Sequence, residues 1–138
     1  MKRVFLLMGI IFFMFITACS NNDPMQIARN FFTAVAKGNK KAAEQFMSPQ
    51  YLRDFRWEDR RGFLGEVFKK YDSWDEGFEG FMKFVVESGK IIGVGIKSRS
   101  SIIEEYDAAI ITVNFENYEG MELEMMKIDE KWKIVRHR

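Results

Sequence analysis

The chain has a single histidine and a single cysteine, and their positions limit the chemistry open to it. His137 sits between Arg136 and Arg138 at the end of the sequence. A general base needs a fixed position and a pKa near the working pH. End residues are ordinarily loosely held, so no catalytic role is expected of His137. Gly-x-Ser-x-Gly does not occur, and without a usable histidine a Ser-His-Asp triad cannot be built. A metal site would have to be made from carboxylates. Asp72, Asp75 and Glu76 lie close together, but without the spacing of a calcium loop. Helix capping accounts for them more simply. Gly93-x-Gly95 lacks the third glycine and the strand-to-helix setting of a dinucleotide loop and reads as a bent strand. No cofactor, metal or catalytic residue is expected.

Cys19 has a different setting. Lys2 and Arg3 are followed by 13 uncharged residues, Val4 to Ile16, then by Thr17, Ala18 and the cysteine. A membrane-spanning helix needs about 20 apolar residues, whereas a secretory signal needs about 7–15. Ile16-Thr17-Ala18-Cys19 resembles the cleavage site of bacterial lipoproteins. That resemblance implies removal of residues 1–18, acylation of Cys19 and a tether over 19–23 ahead of one domain, 24–138. An exported chain with one cysteine cannot close an internal disulfide, and lipidation explains the odd thiol. Two or more acyl chains anchor firmly where one does not. Family sorting rules retain Asp at the next position in the inner membrane. Here Ser20 follows, which implies the outer membrane, periplasmic face, in a two-membrane bacterium and otherwise the outer face of the cell membrane.

Removing Lys2 and Arg3 leaves 19 basic and 20 acidic side chains, so the mature part is near neutral. A nucleic-acid binder needs a basic excess on one face, and none is expected here. The chain has 14 Phe, of which ten lie beyond the signal and can build a core without disulfides. Arg53, Arg56, Arg60 and Arg61 form a local basic cluster, but Asp54, Glu58 and Asp59 interrupt it, as on a solvated helix face.

The elements that must position these residues can be read in order. Asp23-Pro24-Met25-Gln26 has the signature of a helix start with a capping box. Ala28, Phe31, Phe32 and Val35 then form one apolar stripe, and Gly38 stops it. Asn39 caps a second helix expected over Lys40–Met47. Ser48-Pro49 ends it and opens a short helical turn through Tyr51, Leu52 and Phe55. Trp57 to Tyr71 carries Phe63, Leu64, Val67, Phe68 and Tyr71 at helical spacing, so a helix is expected there too. Asp72-Ser73 breaks it, and Phe78, Phe81, Met82 and Val85 define another helix closed by Gly89. From Lys90 the period becomes two. Ile92, Val94 and Ile96 alternate with Gly93, Gly95 and Lys97, the glycines inviting a bend or a close backbone approach. Ala109, Ile111, Val113 and Phe115 share one strand face. Tyr118-Glu119-Gly120 is expected to turn, followed by Met121, Leu123 and Met125. Asp129-Glu130 is a two-residue hairpin turn ahead of Trp132 and Ile134. Helices first and an antiparallel meander last make an α+β fold, with the N-terminal helices packed on the sheet.

Two stretches carry a family resemblance. One is Ala28-Arg29-Asn30-Phe31-Phe32-Thr33-Ala34-Val35-Ala36-Lys37-Gly38-Asn39. The other is Met126-Lys127-Ile128-Asp129-Glu130-Lys131-Trp132-Lys133-Ile134. Together they resemble the lipoprotein branch of the nuclear-transport-factor-2-like, or cystatin-like, fold. The segment Trp57 to Gly89 departs from it, with more helix and no clear first strand. The resemblance implies a curved antiparallel sheet wrapped on a long helix as a cone. Its members include isomerases, cyclases, ligand binders and interaction modules, so the fold alone assigns no chemistry. Isomerases of this kind set an acid or base in the cone opposite a hydrogen-bond donor. Tyr51, Tyr71 and Tyr106 could be donors, and Asp54, Asp107 or Glu104 bases, but no spacing places two of them together. Trp57, Tyr71, Trp74, Phe78 and Tyr106 are the candidate pocket lining for an apolar ligand. For Trp57, Trp74, Phe78 and Phe81, helical periodicity favours a place in the core. The expectation is a membrane-anchored, non-enzymatic module binding a small apolar ligand or an envelope protein, with a homodimer through the sheet face open to it. An isomerase- or cyclase-like enzyme and a structural docking module are the alternatives.

Overall fold

The computed structural model describes residues 23–59, 69–103 and 106–138. Cys19, the expected signal and tether, and Phe63, Leu64, Val67 and Phe68 of the expected middle helix lie outside the described residues.

Helix α1 spans Pro24–Ala36. The Asp23 carboxylate accepts from the Met25 amide at 3.0 Å, and Pro24 occupies the first turn, where its missing N–H costs nothing. The reciprocal half of the capping box is absent, because the Gln26 amide donates to Asn30 instead. At the other end Gly38 adopts φ 71°, with Gly38 N–H donating to Val35 and Asn39 N–H to Ala34. This is a Schellman stop, and it needs a residue free to enter the left-handed region.

Helix α2 spans only Lys40–Glu44, shorter than expected. Met47 is drawn off as a parallel bridge to Ile134, with Ser48 N–H donating to the Ile134 carbonyl and Ile134 N–H to that of Phe46. Helix α3, Pro49–Asp54, starts on the Ser48 hydroxyl, which accepts from the Tyr51 amide.

The expected helix over Trp57–Tyr71 is wrong at both ends. Strand β1, Trp57–Asp59, pairs antiparallel with β2, Lys69–Tyr71. Glu58 stands opposite Lys70, and their side chains form an ion pair at 3.2 Å. Helix α4, Trp74–Ser88, is capped by the Ser73 hydroxyl.

The main sheet is a curved antiparallel meander in the order β3-β4-β5-β6. Its strands are β3, Ile91–Ile103; β4, Tyr106–Phe115; β5, Tyr118–Ile128; and β6, Lys131–His137. Register shifts flank Gly93 and Gly95 in β3, so the expected bend is present. The expected close approach is not, since a Cβ at Gly95 would meet nothing within 4 Å. The expected turn at Tyr118–Gly120 falls earlier, at Glu116-Asn117. Gly120 at φ 82° instead lies inside β5, its amide donating to the Asn114 side chain. Asp129 and Glu130 form the last hairpin turn, both with positive φ, as a two-residue turn matched to strand twist requires.

The core lies between the helices and one sheet face. Ile111, Val113 and Phe115 of β4, Met121, Leu123 and Met125 of β5, and Ile134 of β6 are buried against Phe31, Phe32 and Val35 of α1 and Phe81 and Val85 of α4. Phe32 meets Phe115 edge-on at 5.1 Å. Each such side chain contributes about 1.5–3 kcal/mol by leaving water.

The β4–β5 turn also ties down the end of α4. Asn117 N–H donates to the Ser88 carbonyl, and its side-chain amide donates to that of Glu87. Glu116 N–H donates to Lys90, and the Glu116 carboxylate accepts from the Lys90 amide. Among the described residues no helix is long and apolar enough to cross a membrane.

Candidate functional site

Two places in the described structure gather side chains capable of more than packing. The first is internal. Strand β6 begins with Trp132 and Ile134 facing the core. Strict alternation would next turn Arg136 inward, and burying an unpaired guanidinium is prohibitively costly. The pairing resolves this with one extra residue: Met125 opposes Ile134, Glu124 opposes Arg136, and Leu123 opposes His137. This bulge sends Arg136 outward and His137 inward. The expectation of a loosely held end residue is therefore wrong for His137. The signal was present, since a tryptophan–isoleucine alternation running into an arginine calls for a parity break.

The His137 ring meets Phe55 at 5.4 Å, Trp57 at 5.7 Å, Tyr51 at 5.6 Å and Phe81 at 6.0 Å, from α3, the residue after it, β1 and α4. Its Nδ1 is hydrogen-bonded to Tyr51 Oη. Burial, with a smaller contribution from Arg136, lowers the imidazole pKa to about 4. Burial raises that of Tyr51. Both groups are therefore neutral at physiological pH. The phenol is the stronger donor and the ring nitrogen the stronger acceptor, so Tyr51 donates and the ring proton sits on Nε2. Trp57 is 9% exposed, and its Nε1–H finds no partner among the described residues. Trp74, by contrast, donates from Nε1 to Glu44 at 3.0 Å.

The second place is external. A groove of about 710 Å³ runs between α1 and the end of α4. Phe32, Val85, Ile91 and Phe115 form its apolar floor, and Val86, 54% exposed, continues it outward. Arg29 of α1, Lys37 at its C-cap and Lys90 on the opposite side supply cations, and Glu116 supplies one carboxylate.

The candidate pocket residues are not gathered around one opening. Trp57 and Trp74 are buried in the core, and Phe78 packs on its edge against Trp74 at 5.1 Å. Tyr71 is half-buried beside a smaller groove of about 570 Å³ with Glu76, Glu79 and Lys83. The side chain of Tyr106 lies outside the described part of the structure. Of the candidate bases, Asp54 and Asp107 are exposed, and Glu104 lies outside the described residues. Tyr51 alone among the candidate donors is brought to a titratable partner, and that partner is His137. Among the described residues no cluster of metal-binding side chains occurs.

No family model matches the chain. No curated protein matches it either. Two solved structures are similar to it. One is an NTF2-like protein from Campylobacter jejuni to which a transpeptidase activity is provisionally assigned, 17% identical, covering 83% of this chain and 98% of that one, with a TM-score of 0.43. The other is an NTF2-like protein of unknown function from Shewanella oneidensis MR-1, 19% identical, covering 81% of this chain and 91% of that one, with a TM-score of 0.47.

Proposed function

We propose that this chain is an envelope lipoprotein in which a nuclear-transport-factor-2-like domain, tethered through acylated Cys19, serves as a non-catalytic binding module. The observation that carries the reading is the way the described residues fill the interior. The inner face of β4, β5 and β6 is covered by Phe31, Phe32, Phe81 and their neighbours, and the polar pair inside, Tyr51 and His137, is neutral and joined by a hydrogen bond. Among the described residues, an open groove lies outside, between α1 and α4. A filled interior favours binding at the surface over chemistry in a cone. The anchoring part rests on the sequence pattern ending at Cys19.

Labelling cells with radioactive palmitate tests the anchor. Wild-type chain should incorporate label and fractionate with membranes, and Cys19→Ser should do neither. An unlabelled wild-type chain, or a Cys19→Ser variant that fractionates identically, overturns it.

A second reading, docking or self-association through the outer sheet face, draws on β3. Ile92 is 64% and Ile96 44% exposed there, on an edge strand. Exposed apolar edge strands invite pairing with another chain. Sedimentation of wild type against Ile92→Lys/Ile96→Lys tests it: a dimer lost in the variant supports it, and monomers in both exclude self-association.

A further inference from the structure

We propose that the α1/α4 groove holds one anionic phospholipid, its acyl chain along the apolar floor and its phosphate against Arg29, Lys37 and Lys90. The volume, about 710 Å³, lies in the range of sites for small molecules. The apolar floor accepts a hydrocarbon chain, and exposed Val86 extends it.

The charge is what selects the occupant. Arg29 of α1 and Lys37, which caps it, stand eight residues apart, about 12 Å along the helix axis, and Lys90 faces them across the groove. None of the three has an ion-pair partner among the described residues. Outside the groove, Lys40 of α2 pairs with Asp75 of α4, and Lys83 of α4 pairs with Glu87. The single carboxylate there, Glu116, already accepts from the Lys90 amide at 3.0 Å. An arginine fork with two ammonium groups suits a phosphate, and basic pockets beside a membrane take acidic headgroups.

This inference deepens the binding-module reading and rests on it, but not on acylation of Cys19. Native mass spectrometry of the full chain in dodecyl maltoside tests it, with dioleoyl phosphatidylglycerol, dioleoyl phosphatidylcholine or oleate added at equal mole fraction. One phosphatidylglycerol per chain should be retained, at least tenfold over phosphatidylcholine. Arg29→Gln/Lys37→Gln/Lys90→Gln should abolish that preference, whereas Arg53→Gln, away from the groove, should keep it. Val86→Asp, an exposed and fold-tolerant change, should reduce retention of the lipid itself. Equal retention of the two phospholipids, a preference unchanged in the triple variant, or capture of oleate alone overturns the proposal. Failed palmitate labelling with lipid preference intact removes the anchor and leaves the groove standing.

Discussion

Tyr51 and His137, 86 positions apart, share one hydrogen bond that joins α3 to the inward-turned end of β6. Tyr51→Phe leaves the imidazole nitrogen without a donor in an aromatic enclosure. Stability should fall by about 1–3 kcal/mol. Tyr51→Phe/His137→Phe removes both ends of the bond, so the double variant should lose less than the sum of the singles. Urea unfolding of the four proteins measures the difference, and strict additivity would show that the bond carries no energy of its own.

The same histidine gives the fold a pH dependence of known sign. Its pKa is lowered to about 4 in the folded state, against about 6.5 in an unfolded chain. Between these values the unfolded chain binds more protons, so stability rises with pH across that window. The contribution is complete above about pH 6.5 and lost as pH falls through about 4, amounting to at most about 3 kcal/mol. Surface carboxylates also titrate as pH falls, so the measurement is the difference between wild type and His137→Phe at pH 7, 5.5 and 4.5. The wild type should lose stability more steeply, and parallel curves would contradict the buried placement.

Two glycines on α4 make room for Tyr71 of β2, and they should not tolerate alanine equally. A Cβ at Gly77 would lie 3.0 Å from Tyr71 Cβ and 3.0 Å from the Phe55 ring. The former is fixed by the β2 backbone, so overpacking of about 1–3 kcal/mol should outweigh the helix-propensity gain of about 1 kcal/mol. At Gly80 the contact, 2.9 Å, is with the far end of the Tyr71 ring, which can swing away. Thermal melts should show Gly77→Ala lowered by several degrees and Gly80→Ala near wild type.

Trp57 and Trp74 are both buried, but only Trp74 has a partner for its indole N–H among the described residues. Replacing an unsatisfied donor by an apolar ring offsets part of the volume lost. Trp57→Phe should therefore cost less than Trp74→Phe, by about 1 kcal/mol. Denaturant midpoints of the two variants decide it.

Much of the fold was legible because it is local. The α1 stripe, its Gly38 stop, the breaks at Ser48-Pro49 and Asp72-Ser73 and the inward set on β4 and β5 follow from spacing that neighbouring residues fix. What failed was set at a distance. The β1–β2 pairing brings Trp57 opposite Tyr71 and Glu58 opposite Lys70 across a dozen residues, and the helical spacing of the intervening phenylalanines concealed it. The exposed positions of Ile92 and Ile96 follow from register shifts in an edge strand, where alternation no longer reports one face. His137 was missed because a single bulged residue in β6 reverses parity two positions before it. The groove cations were invisible because α1 and Lys90 meet only in three dimensions.

The turn after β4 holds the last carbonyls of α4, so that helix has no end of its own to fray. The amides of Lys90, Glu116 and Asn117 should therefore exchange with deuterium as one cooperative unit, at the pace of the sheet. An occupant resting beside Lys90 and Glu116 would slow all three together, giving a reporter of occupancy far from the buried interior.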